Sequence, residues 1–141
     1  MYRNQLKWIA ASVLIVISSW TVATELLKTQ TSWDNGEVEY PEGQLQITSL
    51  KLAIKQGEDM PFHCHPVPTM GYVLKGELEV ETKQGLKKTF KQGESVVEVM
   101  RTLHRGKAID GDVEVVVFYA GAVSMPNTIL ETDHESKDYC H

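Results

Sequence analysis

The chain has 141 residues, enough for one domain with a sizeable core and too few for two domains of ordinary size. Its 14 Lys and Arg residues against 19 Asp and Glu residues give a formal net charge of −5 at pH 7. An acidic chain without a basic cluster is a poor candidate for binding nucleic acid or an anionic lipid surface. The composition therefore argues against both of these partner classes.

The N-terminus has the pattern of a secretory signal. Arg3 and Lys7 precede an uncharged run, residues 8–24, whose end is rich in small residues. We predict that residues 1–23 are a signal peptide and that the protein is exported, either to the periplasm or as a secreted protein. The alternative is an uncleaved membrane anchor at residues 8–23, although this run is shorter than the ~20 apolar residues that a spanning helix needs. Membrane association is predicted only in that second case.

The rest of the chain divides into a linker, a domain and a tail. Residues 24–36 are polar and lack a firm period, so they are predicted to form a linker. From residue 37 to residue 124, short alternating runs are separated by glycine turns about every 8–12 residues, which favours an all-β barrel or sandwich. Residues 125–141 form a polar C-terminal tail without a strong pattern.

The strands of the domain are predicted from alternation and from turn signals. The first run, residues 44–54, shifts phase near Ser49, which predicts a β-bulge. The residues between 113 and 119 form the most β-prone run of the chain. Turns are predicted at Gly57, Lys75-Gly76, Gln84-Gly85, Gln92-Gly93 and Asp110-Gly111.

Three histidines are candidates for a metal site. His63 and His65 share one face of a strand because side chains alternate, and the same rule turns Cys64 to the opposite face. His104 follows His65 by 39 residues, at the end of another β-rich segment. Neutral imidazole suits zinc, copper, iron and nickel, and a closed barrel brings inward-facing residues of distant strands together.

The spacing around these histidines resembles the two motifs of the cupin family. The first motif is matched by Gly57, five residues, His63-Cys64-His65, three residues, Thr69, six residues and Gly76. The second is matched by Gly93, five residues, Val99-Met100-Arg101, two residues and His104. The chain is therefore identified as similar to a small single-domain cupin.

Three positions depart from the family's pattern. Thr69 stands where the first motif has a metal-binding glutamate, and a neutral hydroxyl is a poor ligand, so a site of three histidines is predicted. Val99 and Arg101 replace the proline and the glycine of the second motif, so the motif does not predict the backbone conformation that leads to His104.

The resemblance implies a fold and a range of functions. The fold is a double-stranded β-helix, a small jelly-roll barrel, in which His63, His65 and His104 would hold one divalent metal: Fe, Mn, Ni, Cu or Zn. The function would be that of an exported metal-binding cupin that oxygenates or otherwise oxidises a small organic molecule. The alternative is a barrel that binds or senses a small molecule, with or without metal, and catalyses nothing. Small cupins commonly dimerise through their sheets, so the resemblance also implies a homodimer.

Further residues complete the predicted site. Thr69, Tyr72 and Met100 are predicted to line the substrate pocket. No carboxylate is identified beside the histidines, so no residue is assigned to proton transfer.

The chain has two cysteines, Cys64 and Cys140. In an exported protein they can form a disulfide, but Cys140 lies on the tail and disulfide geometry is demanding, so two separate thiols are predicted. His134 and His141, also on the tail, are predicted to be solvated.

Overall fold

The computed structural model describes residues 21–141, so residues 1–20 of the predicted signal peptide or anchor lie outside the described residues. The elements are β1 Leu45–Ile54, β2 His63–Cys64, β3 Thr69–Thr82, β4 Lys87–Lys91, β5 Ser95–Val97, β6 His104–Ala122, β7 Ile129–Leu130 and α1 Ser136–Tyr139. Between residues 21 and 141 no helix is long and apolar enough to cross a membrane.

All seven strands belong to one antiparallel sheet organised around the long strands β3 and β6. β6 pairs with β1 and β2 as well as with β3, and β3 also pairs with β4 and β5. Because both long strands are shared between different partners, the sheet curls around an interior and forms a barrel. The predicted all-β jelly-roll fold is confirmed.

The two long strands bend at glycines where the sequence predicted turns. Gly76 in β3 and Gly111 in β6 have φ values of +79° and +72°, and the β3–β6 register shifts several times between Val73 and Leu78. A Cβ on Gly76 would lie 2.6 Å from the carbonyl oxygen of Asp112, so only glycine fits this bend. The turns predicted here are therefore bends inside continuous strands, and each long strand serves both halves of the barrel.

The bulge predicted in the first strand is wrong. The ladder between β1 and β6 keeps one register from end to end. Leu45 and Ile47 face outward, with 65% and 60% of their surface exposed, whereas Leu52 and Ile54 face the interior. The phase shift near Ser49 thus arises because the apolar side chains lie on the outer face in the first half of β1 and on the inner face in the second half. The backbone pairing is unaffected.

The interior of the barrel is apolar and rich in β-branched side chains, which pack well on a pleated surface. Burial of each large apolar side chain stabilises the fold by about 1.5–3 kcal/mol. The buried cluster consists of Ile54, Val67, Val73, Leu78, Val80, Phe90, Val96, Ala108, Val113, Val115, Val117 and Tyr119.

Two segments that the sequence placed outside the barrel pack against it. In the predicted linker, Trp33 donates its backbone N–H to the oxygen of Val97 at 3.0 Å and packs on the core. In the tail, β7 pairs with β2, and Cys140 forms a disulfide with Cys64 across a Cα–Cα distance of 5.8 Å. The prediction of two separate thiols is therefore wrong, because the tail folds back along β2. Both tail histidines are exposed, as predicted.

Candidate metal centre

The pairing of β2 with β6 brings the three histidines together. His63 lies directly opposite His104 in this ladder, and His65 faces the same side two residues further on. His65 is held by a bridge to Met100 and by the backbone N–H of Arg101, which donates to its carbonyl oxygen at 2.8 Å. Each imidazole is therefore fixed by strand pairing rather than carried on a free loop.

Arg101 occupies the position where the family's second motif has a glycine. Its φ is +60°, in the left-handed region that favours glycine. A residue with a Cβ is strained there by about 1–2 kcal/mol. The chain thus keeps a glycine-like turn three residues before His104. Arg101 adopts the backbone conformation that the motif's glycine would adopt.

The three imidazoles form a compact buried triangle. The ring centroids are 4.9 Å apart for His63 and His65, 4.5 Å for His63 and His104, and 5.0 Å for His65 and His104. One nitrogen from each ring lies within 4.8 Å of the other two. These three residues are the set that the sequence singled out.

The hydrogen bonds of the three rings fix their tautomer. In each ring Nδ1 contacts a backbone carbonyl oxygen: that of Pro61 at 2.9 Å, of Asn127 at 2.9 Å, and of Thr102 at 2.8 Å. A carbonyl oxygen only accepts, so each Nδ1 carries the proton and each Nε2 keeps its lone pair. This is the arrangement by which proteins orient histidines as metal ligands.

Burial lowers the pKa of all three imidazoles, that of His65 furthest. For His63 and His65 the second cause is repulsion from a charge on His104. The three rings are therefore neutral near pH 7, and neutral imidazole is the form that coordinates a metal.

The histidines open onto a cavity of about 170 Å³ inside the barrel. An apolar cavity of similar size holds a molecule as large as benzene. The apolar lining includes Leu50, Leu52, Ile54, Met60, Leu78, Val80, Val115 and Val117. A ligand for this space is small and mostly apolar.

Of the three residues predicted to line the pocket, the structure brings only Thr69 to the cavity. Its hydroxyl donates to the oxygen of Val67 at 3.0 Å. Tyr72 lines a surface groove, because alternation along β3 turns it away from the face that carries Thr69. Met100 lies in a surface depression, where its sulfur accepts the backbone N–H of Glu39 at 3.4 Å.

A carboxylate that the sequence did not reveal lies beside the histidines. Glu98 lines the cavity, and its Oε2 lies 3.8 Å from Nε2 of His104. Both atoms are buried and lack a hydrogen-bond partner among residues 21–141. Burial raises the pKa of Glu98 to about 7, whereas a charge on His63 and the indole N–H of Trp33 oppose the rise.

Other polar groups reach the cavity from the C-terminal part of the barrel. Tyr119 is buried, its ring centroid lies 5.5 Å from that of His65, and the hydroxyl of Thr128 donates to its phenol oxygen at 3.4 Å. Alternation within the predicted strand at residues 113–119 was the only signal for Tyr119. Thr128 lay in the predicted tail, where no pattern pointed to a site.

Comparison with known proteins agrees with the barrel and the motifs. A family model described as a cupin domain matches residues 51–120. No curated protein matches the sequence. A cupin-like protein from Thermotoga maritima has a similar structure, with a TM-score of 0.53 and 15% identity over 67% of this chain and 74% of that chain.

Two enzymes also have similar structures. A DMSP lyase from Ruegeria pomeroyi gives a TM-score of 0.52 and 20% identity over 60% of this chain and 42% of the lyase. An oxalate oxidase gives 0.51 and 22% over 60% of this chain and 45% of the oxidase. The chain spans less than half the length of either enzyme, and identities this low show the fold alone. From the curled seven-stranded sheet, the spacing of its buried histidines and the domain match, it follows that the chain is a small member of the cupin family.

Proposed function

We propose that His63, His65 and His104 bind one divalent transition metal inside the barrel. The observation that carries this proposal is the shared tautomer: each ring has its Nδ1–H directed at a carbonyl oxygen, which leaves the lone pair on Nε2, and the three rings lie with one nitrogen each within 4.8 Å of one another. The buried Nε2 of His104 has no partner among the described residues, and a metal ion would satisfy it. An all-imidazole set suits Fe, Ni, Cu or Zn, and Mn is accommodated where an oxygen ligand is added.

We further propose that the protein is an oxidoreductase of the oxygenase type, acting on a small organic molecule. The metal, when bound, would supply a Lewis acid with open positions for substrate and O₂. The apolar walls would exclude bulk water and limit the substrate to roughly the size of one aromatic ring. Glu98 adds an acidic group to the cavity wall, with its Oε2 3.8 Å from Nε2 of His104.

Export from the cytoplasm is the third part of the proposal. The disulfide between Cys64 and Cys140 supports it, because such bonds persist in oxidising compartments and are rare in the cytosol. The basic and apolar pattern of residues 1–23 points the same way. The periplasm and the extracellular space both fit, and an anchor at residues 8–23 would keep the barrel on the same side of the membrane.

The homodimer that the resemblance implies stays a prediction. Ile47, Met70 and Phe118 are exposed on the outer face of the sheet, and neighbouring strands bring them to one side. Exposed apolar side chains on the outer face of a sheet suit contact with a second copy.

Elemental analysis of the purified protein tests the metal proposal. We expect one transition metal per chain in the wild type and none in His63→Ala or His104→Ala. His134→Ala is the matched control, since this histidine is exposed on the tail and should leave the metal content unchanged. Metal-free wild type, or metal retained in His104→Ala, would contradict the proposal.

O₂ consumption against a panel of small phenols, thiols and diketones tests the oxygenase part. We expect uptake with one class of compound, dependent on metal and lost in His104→Ala. The alternative function, a non-catalytic binding barrel, is favoured by Thr69 at the position of the family's glutamate. Unchanged affinity for phenol in metal-free His104→Ala, without O₂ uptake by the wild type, would establish that alternative.

A further inference from the structure

Glu98 lies across the sheet from the position where the family's glutamate is missing. It follows β5 directly, and its backbone N–H donates to the carbonyl oxygen of Thr69 at 2.9 Å. The next pair of this ladder, Met70 with Val97, confirms that Thr69 and Glu98 oppose each other. Side chains that oppose each other in antiparallel strands project from the same face with Cβ atoms about 5 Å apart. The Glu98 carboxylate therefore enters the same cavity that a glutamate at position 69 would enter.

One carboxylate oxygen of Glu98, Oε2, lies close to His104 and has no hydrogen-bond partner among residues 21–141. This buried oxygen lies 3.8 Å from the buried Nε2 of His104, too far for a hydrogen bond, and neither atom has another partner in residues 21–141. A carboxylate oxygen and an unprotonated imidazole nitrogen are both electron-pair donors, so a cation between them would satisfy both. Ligands about 2.1 Å from one metal are separated by at most about 4.2 Å, and the observed separation falls within that limit.

Trp33 lies beside the Glu98 carboxyl group. Its backbone is fixed by the hydrogen bond to Val97, and its indole ring packs on the core. The indole N–H is buried, has no hydrogen-bond partner among the described residues and lies near enough to Glu98 to lower the pKa of its carboxyl group. An outer donor of this kind orients a ligating carboxylate.

We propose that Glu98 is the fourth protein ligand of the metal, moved to the end of β5 from the position that Thr69 occupies. This inference rests on the metal site proposed above and changes its composition from three nitrogens to three nitrogens and one oxygen. Such a set admits Mn²⁺ and Fe²⁺ more readily than three imidazoles alone, because carboxylates suit harder ions. It also restores the negative charge that the Thr69 substitution removes from the centre.

Titration of the full metal-free chain with Co²⁺ tests this inference, with affinity measured by chelator competition and geometry by the visible ligand-field absorption. We expect one Co²⁺ per wild-type chain. Glu98→Gln should weaken binding at least about tenfold and alter the absorption spectrum, since an amide is a poorer ligand than a carboxylate. Glu98→Asp, which keeps the charge on a shorter side chain, should fall between the two. Glu94→Gln, an exposed position in the neighbouring turn, is the matched control and should bind as the wild type does.

The outcomes separate the two proposals. Wild-type affinity and an unchanged spectrum in Glu98→Gln, together with loss of Co²⁺ in His104→Ala, would overturn the fourth ligand and leave the three-histidine site intact. Absence of saturable Co²⁺ binding by the wild type would overturn both. Circular dichroism of each variant shows that the barrel is folded, so that a weaker affinity reports on the ligand.

Discussion

Replacement of Glu98 by glutamine should stabilise the metal-free protein above neutral pH. Burial raises the pKa of Glu98 from 4.5 to about 7, so ionising this carboxyl is harder in the folded chain than in the unfolded one. Each pKa unit corresponds to about 1.4 kcal/mol, and the penalty carried by the ionised carboxyl is therefore about 3 kcal/mol. Glutamine has nearly the same shape and no charge, which removes that penalty.

The sign of the effect depends on pH. Below pH 4.5 the carboxyl is neutral in both states, so wild type and Glu98→Gln should differ little. Between pH 4.5 and 7 the unfolded chain loses the proton while the folded chain keeps it, and the wild type loses stability as the pH rises. Above pH 7 the difference reaches its full size. The lowered pKa values of the three histidines make the folded protein lose stability in the opposite direction, on acidification below pH 6.5. Both proteins contain these histidines, so their contribution to the difference largely cancels.

Urea denaturation of the chelator-treated proteins at pH 4.5, 6 and 8 measures this difference. Trp33 is the only tryptophan after residue 23 and lies beside Glu98, so its fluorescence reports on the transition. We expect the free energy of unfolding of Glu98→Gln to exceed that of the wild type by about 3 kcal/mol at pH 8 and by almost nothing at pH 4.5. A difference that stays constant over this range would refute the reasoning, since the carboxyl would then not be desolvated.

Two further predictions concern the fold. In urea denaturation, Gly76→Ala should destabilise the protein by about 1–3 kcal/mol more than Gly93→Ala. Both glycines have positive φ, but only a Cβ at position 76 would meet the carbonyl oxygen of Asp112, at 2.6 Å. Equal losses of stability in the two variants would show that β3 relaxes at its bend. The Cys64–Cys140 disulfide joins residues 76 positions apart. In the chain-entropy model, its reduction should lower the free energy of unfolding by about 4 kcal/mol, which urea denaturation with and without reductant measures. An unchanged midpoint would mean that the unfolded chain is not constrained by this bond.

The cluster of three histidines could be predicted because the signals for two of them are local. His63 and His65 are two residues apart, and a strand places them on one face whatever its partners are. His104 required one long-range assumption, that its strand lies beside theirs, and the motif spacing supplied it. The observed opposition of His63 and His104 in one ladder agrees with that assumption.

Glu98 could not be predicted in the same way. A glutamate after two valines reads as an exposed position near a strand end, and only the register between β3 and β5 shows that it opposes Thr69. Alternation from the buried Val96 does point Glu98 inward, so a weak signal was present. Register depends on the whole sheet, which is why the residue across from a missing ligand is hidden in the sequence.

The tail was missed for a related reason. β7 has two residues, too few for a period, and its pairing with β2 is decided by the tertiary structure. That pairing carries the chain back to β2, so that Cys140 can reach Cys64. The disulfide thus depends on a strand that no sequence pattern predicts.

Taken together, the two expected effects of Glu98→Gln distinguish a functional carboxylate from a structural one. A structural carboxylate would have its hydrogen bonds satisfied within the protein, and its removal would destabilise the fold. Glu98 has a buried oxygen without a partner, so the metal-free barrel should gain stability from its loss, whereas the metal-bound protein should lose affinity. Opposite signs in one variant mean that the fold tolerates a cost at this position that only a bound cation offsets. The same argument applies to Nε2 of His104, which faces the same space and is equally unsatisfied.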